Sequence, residues 1–298
     1  MAVLKDFLWH CKFEKNLDLK TIKAYETDLK QFINIVGYKC SIIEITKQDI
    51  KLYLQSISCF RHKTIKRKLA SLRAMLNHVE YEDERYINPM RKMHICLREP
   101  LRLPTVMNIE ECRKIIETVH KNYTECSPYS TMVSIRNVAV IEMLLATGMR
   151  VSELCNLRNG DIDLSQGKIT IIGKGNKERV VFVCQPETLS ALTSWIKTKT
   201  DHSSGLPFFT NRLKRGLSPQ SVRHLIHHIV SQAGLSKHIT PHTFRHTLAT
   251  LLLEENVDIR YIQSILGHSS ISTTQIYTHV NLSKQKQIFQ AKHPRRHI

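Results

Sequence analysis

The hydrophobic pattern of the 298-residue chain changes period between Asp161 and Val183, and that change does most to limit what it can fold into. Three short segments, Asp161 to Leu164, Lys168 to Ile172 and Glu178 to Val183, are rich in Ile, Val and Thr. They are separated by Ser165-Gln166-Gly167 and by Gly173-Lys174-Gly175-Asn176-Lys177. Short β-branched runs divided by glycine turns read as strands joined by hairpins. On either side, apolar residues return at three- and four-residue spacing, as along one face of a helix. The expected fold is therefore mainly α with a small three-stranded antiparallel sheet, and Lys174 is expected at a hairpin tip.

The first hundred residues contain four such helical stripes. Val3, Leu4, Phe7, Leu8 and Cys11 form one; Ile22, Tyr25, Leu29, Phe32, Ile33 and Val36 form a second, broken at Gly37; a third is expected over Lys47 to Ser56. In the fourth, Ile65, Leu69, Leu72 and Leu76 make the buried stripe while Lys63, Lys66, Arg67, Lys68 and Arg73 crowd the remaining surface. A solvated charged face is the bland reading of such a helix. A formal charge of +18, with a basic excess in both halves, favours a polyanion and most simply nucleic acid. On that reading Lys63, Lys66, Arg67, Lys68 and Arg73 contact DNA phosphates, and Thr64 and Ser71 add hydrogen bonds to phosphate or base edges.

Asn88-Pro89 stops the fourth helix, and Arg91 to Pro104 holds basic residues, two prolines and no clean period, as expected of an interdomain linker. Asn108 and Glu111 then provide an N-cap and its reciprocal partner for a new helix. Lys121 to Thr131 reads as a polar loop. The apolar helix Val138 to Ala146 ends at Thr147-Gly148-Met149-Arg150, which places Arg150 at a core edge, with Glu153 in reach for a charge-assisted hydrogen bond.

Thr240 to His279 concentrates phosphate-directed side chains. Pro241 suits the first turn of a helix, so His242 and Arg245, three apart, share one face. A second helix around Ile259, Ile262 and Ile265 stops at Gly267, a residue suited to a left-handed cap. His268 follows, Ser270 can cap another helix, and Tyr277 lies in its second turn. Each of these residues taken alone has an ordinary structural reading. A helix-turn-helix DNA reader is another possibility, but Ile271 to Val280 carries no Lys or Arg to read a groove.

Several function classes are set aside by what is missing. Gly173-Lys174-Gly175 lacks the spacing of a phosphate loop. The 8 cysteines have no Cys-x-x-Cys pairing and the 16 histidines no His-Glu-x-x-His, so neither disulfides nor a metal site is expected. No run of about 18 apolar residues and no cleavable signal pattern is present, so no membrane partner is expected.

In order along the chain, Ala146-Thr147-Gly148-Met149-Arg150-Val151-Ser152-Glu153-Leu154, the Gly-Lys-Gly-Asn-Lys-Glu-Arg hairpin, His242-x-x-Arg245, Leu266-Gly267-His268-Ser269-Ser270 and the Tyr277 segment resemble the motifs of the tyrosine recombinases, or phage integrases. The resemblance covers the whole chain, is most specific from Met107 onward, and is closest to the Xer-type and transposon-encoded simple recombinases, which begin directly with the core-binding helices. It implies a SAM-like four-helix core-binding domain over residues 1–90, a linker over 91–104 and a catalytic domain over 105–298. Arg150 and Arg245 match the pair that clamps the scissile phosphate, and His242 and His268 the two supporting histidine positions. Lys174 matches the general acid, Tyr277 the nucleophile, and Glu153 a supporting acid. Asn137 departs from an acidic residue common in relatives.

The implied reaction cleaves and rejoins DNA through a covalent 3'-phosphotyrosine and needs no cofactor. The implied partner is double-stranded DNA with inverted-repeat core sites, bound by a homo- or hetero-tetramer. The implied location is the prokaryotic cytoplasm at the nucleoid. The C-terminal helix Leu282 to Ala291 either docks on a neighbouring protomer or packs on its own. A type IB topoisomerase and a non-catalytic DNA-binding regulator on the same fold remain the competing readings.

Overall fold

The computed structural model describes residues 2–37, 44–97, 104–122, 127–173 and 178–267. The chain divides into two compact units, Met1–Leu101 and Arg102–Ile298, each with its own hydrophobic core.

In the first unit, α1 (Ala2–Phe13), α2 (Leu19–Val36), α3 (Lys47–Ser56) and α4 (His62–Glu82) follow the four expected stripes. Thr46 and Asp49 cap each other's backbone at the start of α3, satisfying donors that the first turn leaves open. Leu4, Phe7, Leu29, Phe32, Ile50, Tyr53, Leu72, Met75 and Leu76 meet in the core. Met90 is buried in the same core and Met93, Ile95 and Leu97 pack against it, so the apolar residues of the segment after Pro89 cover this unit.

The second unit is built on α6 (Pro128–Thr147), against which α5 (Ile109–Lys121), α8 (Pro186–Lys197), α9 (Pro219–Gln232) and α10 (Pro241–Glu254) pack. By length and composition Tyr129–Thr147 is apolar enough to cross a membrane. Here it is the centre of a protein core: Val138, Ala139, Val140, Ile141, Met143 and Leu144 are buried, and Glu142 accepts a hydrogen bond from Thr188 Oγ1 at 2.9 Å. The loop expected over Lys121 to Thr131 is shorter at both ends. α5 runs through Lys121, and Ser127 caps α6 by accepting from the Ser130 amide at 3.1 Å, with Pro128 in the first turn.

After α7 (Val151–Asn156) come β1 (Ile162–Asp163), β2 (Lys168–Ile172) and β3 (Glu178–Phe182), an antiparallel sheet in the order β1-β2-β3. The register pairs Ile169 with Val181 and Ile171 with Arg179. Ile169, Ile171 and Val181 face the core. Period-two alternation therefore puts Arg179 on the same inner face as Val181. α11 (Ile259–Leu266) follows α10 and packs on it through Ile262 and Leu266.

Candidate active site

Two left-handed glycine turns frame the site. Gly148 ends α6 at φ 57°, and a Cβ there would lie 2.9 Å from Leu248 Cδ2 and 3.0 Å from Leu266 Cδ2. Gly267 ends α11 at φ 65°, where a Cβ would lie 2.9 Å from Arg179 Cδ. Only glycine supplies both the positive φ and the space, and the close approach brings the C-terminal ends of α6 and α11 together.

The carbonyls at the end of α11 are then each taken by an arginine. Arg179 Nε donates to Ile265 O at 3.1 Å, Arg245 Nη2 to Leu266 O, and Arg150 Nη2 to Gly267 O at 3.3 Å. Arg245 Nη1 also donates to Gly148 O at 3.0 Å. Terminal helix carbonyls lack intrahelical donors and carry the negative end of the helix dipole, so guanidiniums suit them. Arg245 is only 4 % exposed, whereas the Arg150 side chain is 36 % exposed.

Glu153, in the first turn of α7, binds the group together. Its Oε2 accepts from the Arg150 amide at 2.8 Å and its Oε1 from Arg150 Nη1 at 2.7 Å. Arg179 approaches fork to fork, with Nη1 at 3.0 Å from Oε1 and Nη2 at 2.8 Å from Oε2. Burial alone would raise the carboxyl pKa. The hydrogen bonds from Arg179 and the Arg150 amide, with the Arg179 charge, outweigh it and bring the pKa down to about 2. The acid is therefore a permanent anion at neutral pH.

His242 lies in the first turn of α10, after the Thr240 cap, and is open to solvent on one side. Partial burial, and then the charges of Arg245, Arg150 and Arg223, push its pKa below the ordinary value. His246, whose ring centroid is 6.5 Å from that of His242, is shifted the same way by burial, His242 and Arg245. Both imidazoles thus favour the neutral form until an anion arrives.

Of the residues expected here, Arg150, Glu153, His242 and Arg245 are brought together. Lys174, His268 and Tyr277 lie outside the described residues, as do Ser270 and the Leu282 to Ala291 helix. The sequence reading missed Arg179 and Arg223. For Arg179 a signal existed: it falls in phase with the buried Val181 and Val183, so alternation points a charge into the core. Arg223, on the exposed side of α9, gives no such signal. Among the described residues, no group of three His, Cys, Asp or Glu side chains is placed to hold a metal ion.

In the first unit, Lys63, Lys66, Arg67 and Arg73 are exposed along α4 and Thr64 is half-buried. Lys68 and Ser71 correct the expectation. Lys68 Nζ turns inward to Asp28 Oδ1 at 3.1 Å and to Gln31, and Ser71 Oγ donates to Asp28 Oδ2 at 2.9 Å. Arg67 also donates to Asp28, although its side chain is 48 % exposed. The reason is that the Asp28 side chain, fully buried on α2, needs compensation, and the nearest cations on α4 supply it.

A model of the phage integrase family matches residues 105–284, more than half of the chain. The chain belongs to the phage integrase family. The N-terminal SAM-like domain model of phage integrases matches residues 4–80. A tyrosine recombinase of Agathobacter rectalis is 40% identical, the alignment spanning 98% of this chain and 96% of that protein. Tyrosine recombinase XerD of Listeria innocua is 33% identical over 98% and 99%. Among solved structures, the XerH recombinase in a post-cleavage complex with a palindromic difH substrate has a TM-score of 0.76 at 25% identity, covering 94% of this chain and 82% of that one. The Tn1549 transposon integrase bound to transposon right-end DNA has the same fold, with a TM-score of 0.71 at 19% identity. This phage integrase family member is a tyrosine recombinase, an enzyme of site-specific DNA recombination. Neither competing reading, topoisomerase or bare regulator, gains support from these relatives.

Proposed function

We propose that this recombinase cleaves and rejoins double-stranded DNA at inverted-repeat core sites through a 3'-phosphotyrosine on Tyr277. Arg150 and Arg245 hold the scissile phosphate, His242 and His268 donate to its nonbridging oxygens, and Lys174 protonates the leaving 5'-oxygen. Attack by the tyrosyl oxygen forms one phosphoester bond as the bond to the 5'-oxygen breaks, so the phosphoester is conserved for rejoining by a 5'-hydroxyl. Negative charge grows on the nonbridging oxygens in the transition state, where fixed cations and N–H donors stabilise it most. The observation that carries this reading is the anchoring of Arg245 and Arg150 on the successive carbonyls of Leu266 and Gly267, next to a neutral-favouring His242. The exposed α4 residues Lys63, Lys66, Arg67 and Arg73, with Thr64, add phosphate contacts. The active assembly is a tetramer on two synapsed sites in the bacterial cytoplasm, with the C-terminal helix docked on a neighbouring protomer.

The test uses nicked duplexes drawn from DNA flanking the protein's own coding region. The native protein is expected to trap a covalent complex on one of them and Tyr277→Phe on none. No trapping by the native protein on any duplex defeats the assignment. Two-site plasmids built from the trapping sequence are expected to give inversion or excision products, and relaxation without them would instead make the enzyme a topoisomerase.

A further inference from the structure

Arg179 is a charged residue on the inner face of β3, and its side chain is 11 % exposed. It takes both oxygens of Glu153, while Arg150 reaches that carboxylate through one terminal nitrogen and its amide. An ionised carboxylate has about four acceptor positions, and these four bonds use them.

We propose that Arg179 is a positioning residue that neutralises Glu153 so that Arg150 keeps its charge and its outward donors for an anion. This rests on the reading of Arg150 as a phosphate ligand. With Arg179 absent, Glu153 and Arg150 are left as a private pair. Carboxylate and guanidinium then match in a two-bond fork, and the carboxylate competes with a phosphate for the same donors. With Arg179 present, Glu153 is already saturated. Two guanidiniums around one carboxylate also leave a net positive charge, and the more exposed of the two is Arg150. The bond from Arg179 Nε to Ile265 O fixes this arrangement beside the Gly267 turn that Arg150 also touches.

The experiment compares the native protein with Arg179→Met, Arg179→Lys, Glu153→Gln and the double variant Arg179→Met with Glu153→Gln. The rate of covalent trapping is measured on a nicked duplex that the native protein traps. Arg179→Met is expected to slow trapping by about a hundredfold, the scale of losing one oxyanion donor. Adding Glu153→Gln to it is expected to recover about tenfold or more, because the unneutralised carboxylate has gone. Arg179→Lys, which keeps the charge without the fork, is expected to stay within about tenfold of native. A double variant as slow as Arg179→Met, at equal folded fraction by circular dichroism, overturns the proposal. Should Arg179→Met not fold, a loss of more than about a hundredfold in folded Arg179→Lys overturns it instead.

Inorganic phosphate, titrated against the Arg150 side-chain nitrogen resonances of the same proteins, gives a readout that needs no DNA site. Weaker binding in Arg179→Met that is restored in the double variant supports the proposal, and unchanged binding in every variant overturns it. If the native protein traps on no duplex, the nucleophile assignment fails while the phosphate series still decides the part played by Arg179.

Discussion

Asp28 and Glu153 are both buried carboxylates that hold one buried and one partly exposed cation, yet the two units recruit those cations from different places. In the first unit Asp28 draws Lys68 wholly inside and takes Arg67 and Ser71 as well, joining α2 to α4. Its charge also adds to burial in raising the Tyr53 hydroxyl pKa to about 12, against the opposing Arg67 charge. In the second unit Glu153 buries Arg179 but leaves Arg150 more than a third exposed. Asp28 takes both of its cations from a distant helix, α4, whereas Glu153 takes one from its own turn and one from β3. A count of basic residues along a helix therefore overstates the phosphate contacts available, because some of those residues answer a buried acid instead.

The largest expected effect breaks the comparison on the Asp28 side. Asp28→Ala leaves the Lys68 charge buried without its carboxylate and should destabilise the first unit by about 3–5 kcal/mol. With 5-fluorotryptophan in the full chain, Trp9 reports on the first unit and Trp195 on the second. The Trp9 transition should move to lower urea while that of Trp195 stays in place; equal movement of both would show that Asp28 is not local in its effect.

On the other side, Arg245→Ala removes the guanidinium that bridges Gly148 O and Leu266 O. Covalent trapping on a nicked duplex should fall by about a hundredfold or more. A loss under about fivefold would mean that Arg245 serves packing and not phosphate.

Glu153 and its partners should also set an acid limit. Its pKa is held near 2 in the folded protein against an ordinary 4.5. Its stabilisation is therefore complete above about pH 4.5 and is lost as the pH falls toward about 2, on the order of 2 kcal/mol after allowance for solvent screening. Urea titrations from pH 5 to pH 2 should show this slope in the native protein and lose it in Glu153→Gln.

Gly148→Ala should cost about 1–2 kcal/mol from the left-handed φ alone, with the Leu248 and Leu266 contacts adding to it. A melting temperature unchanged from native would show that the turn relaxes without disturbing α10 and α11.

The smallest effect sharpens the comparison on α4. Lys63→Ala and Lys66→Ala should each lower the salt dependence of duplex binding by about one unit of slope. Lys68→Met should leave that slope alone, since Lys68 faces Asp28. An equal change from all three would return Lys68 to the DNA face.

Periodicity and turn residues were enough to find the four helices of the first unit, the three strands and the two glycine turns, because each follows from local chemistry. Lys47–Ser56 is bounded by its own capping box, the β segments by their glycine turns, and Gly148 and Gly267 by the need for a positive φ. The same local rules paired Arg150 with Glu153, three residues apart in one turn. What local rules did not reveal were the partners brought from far along the chain: Asp28 for Lys68, Arg179 for Glu153, and the ends of α6 and α11 for Arg245. A buried charge takes whatever compensation the packed neighbours offer, and those neighbours are set by how helices and strands stack. Sequence thus determined the local elements and named the residues expected to carry the chemistry, while the tertiary structure decided which cations are consumed by the core and which remain turned outward.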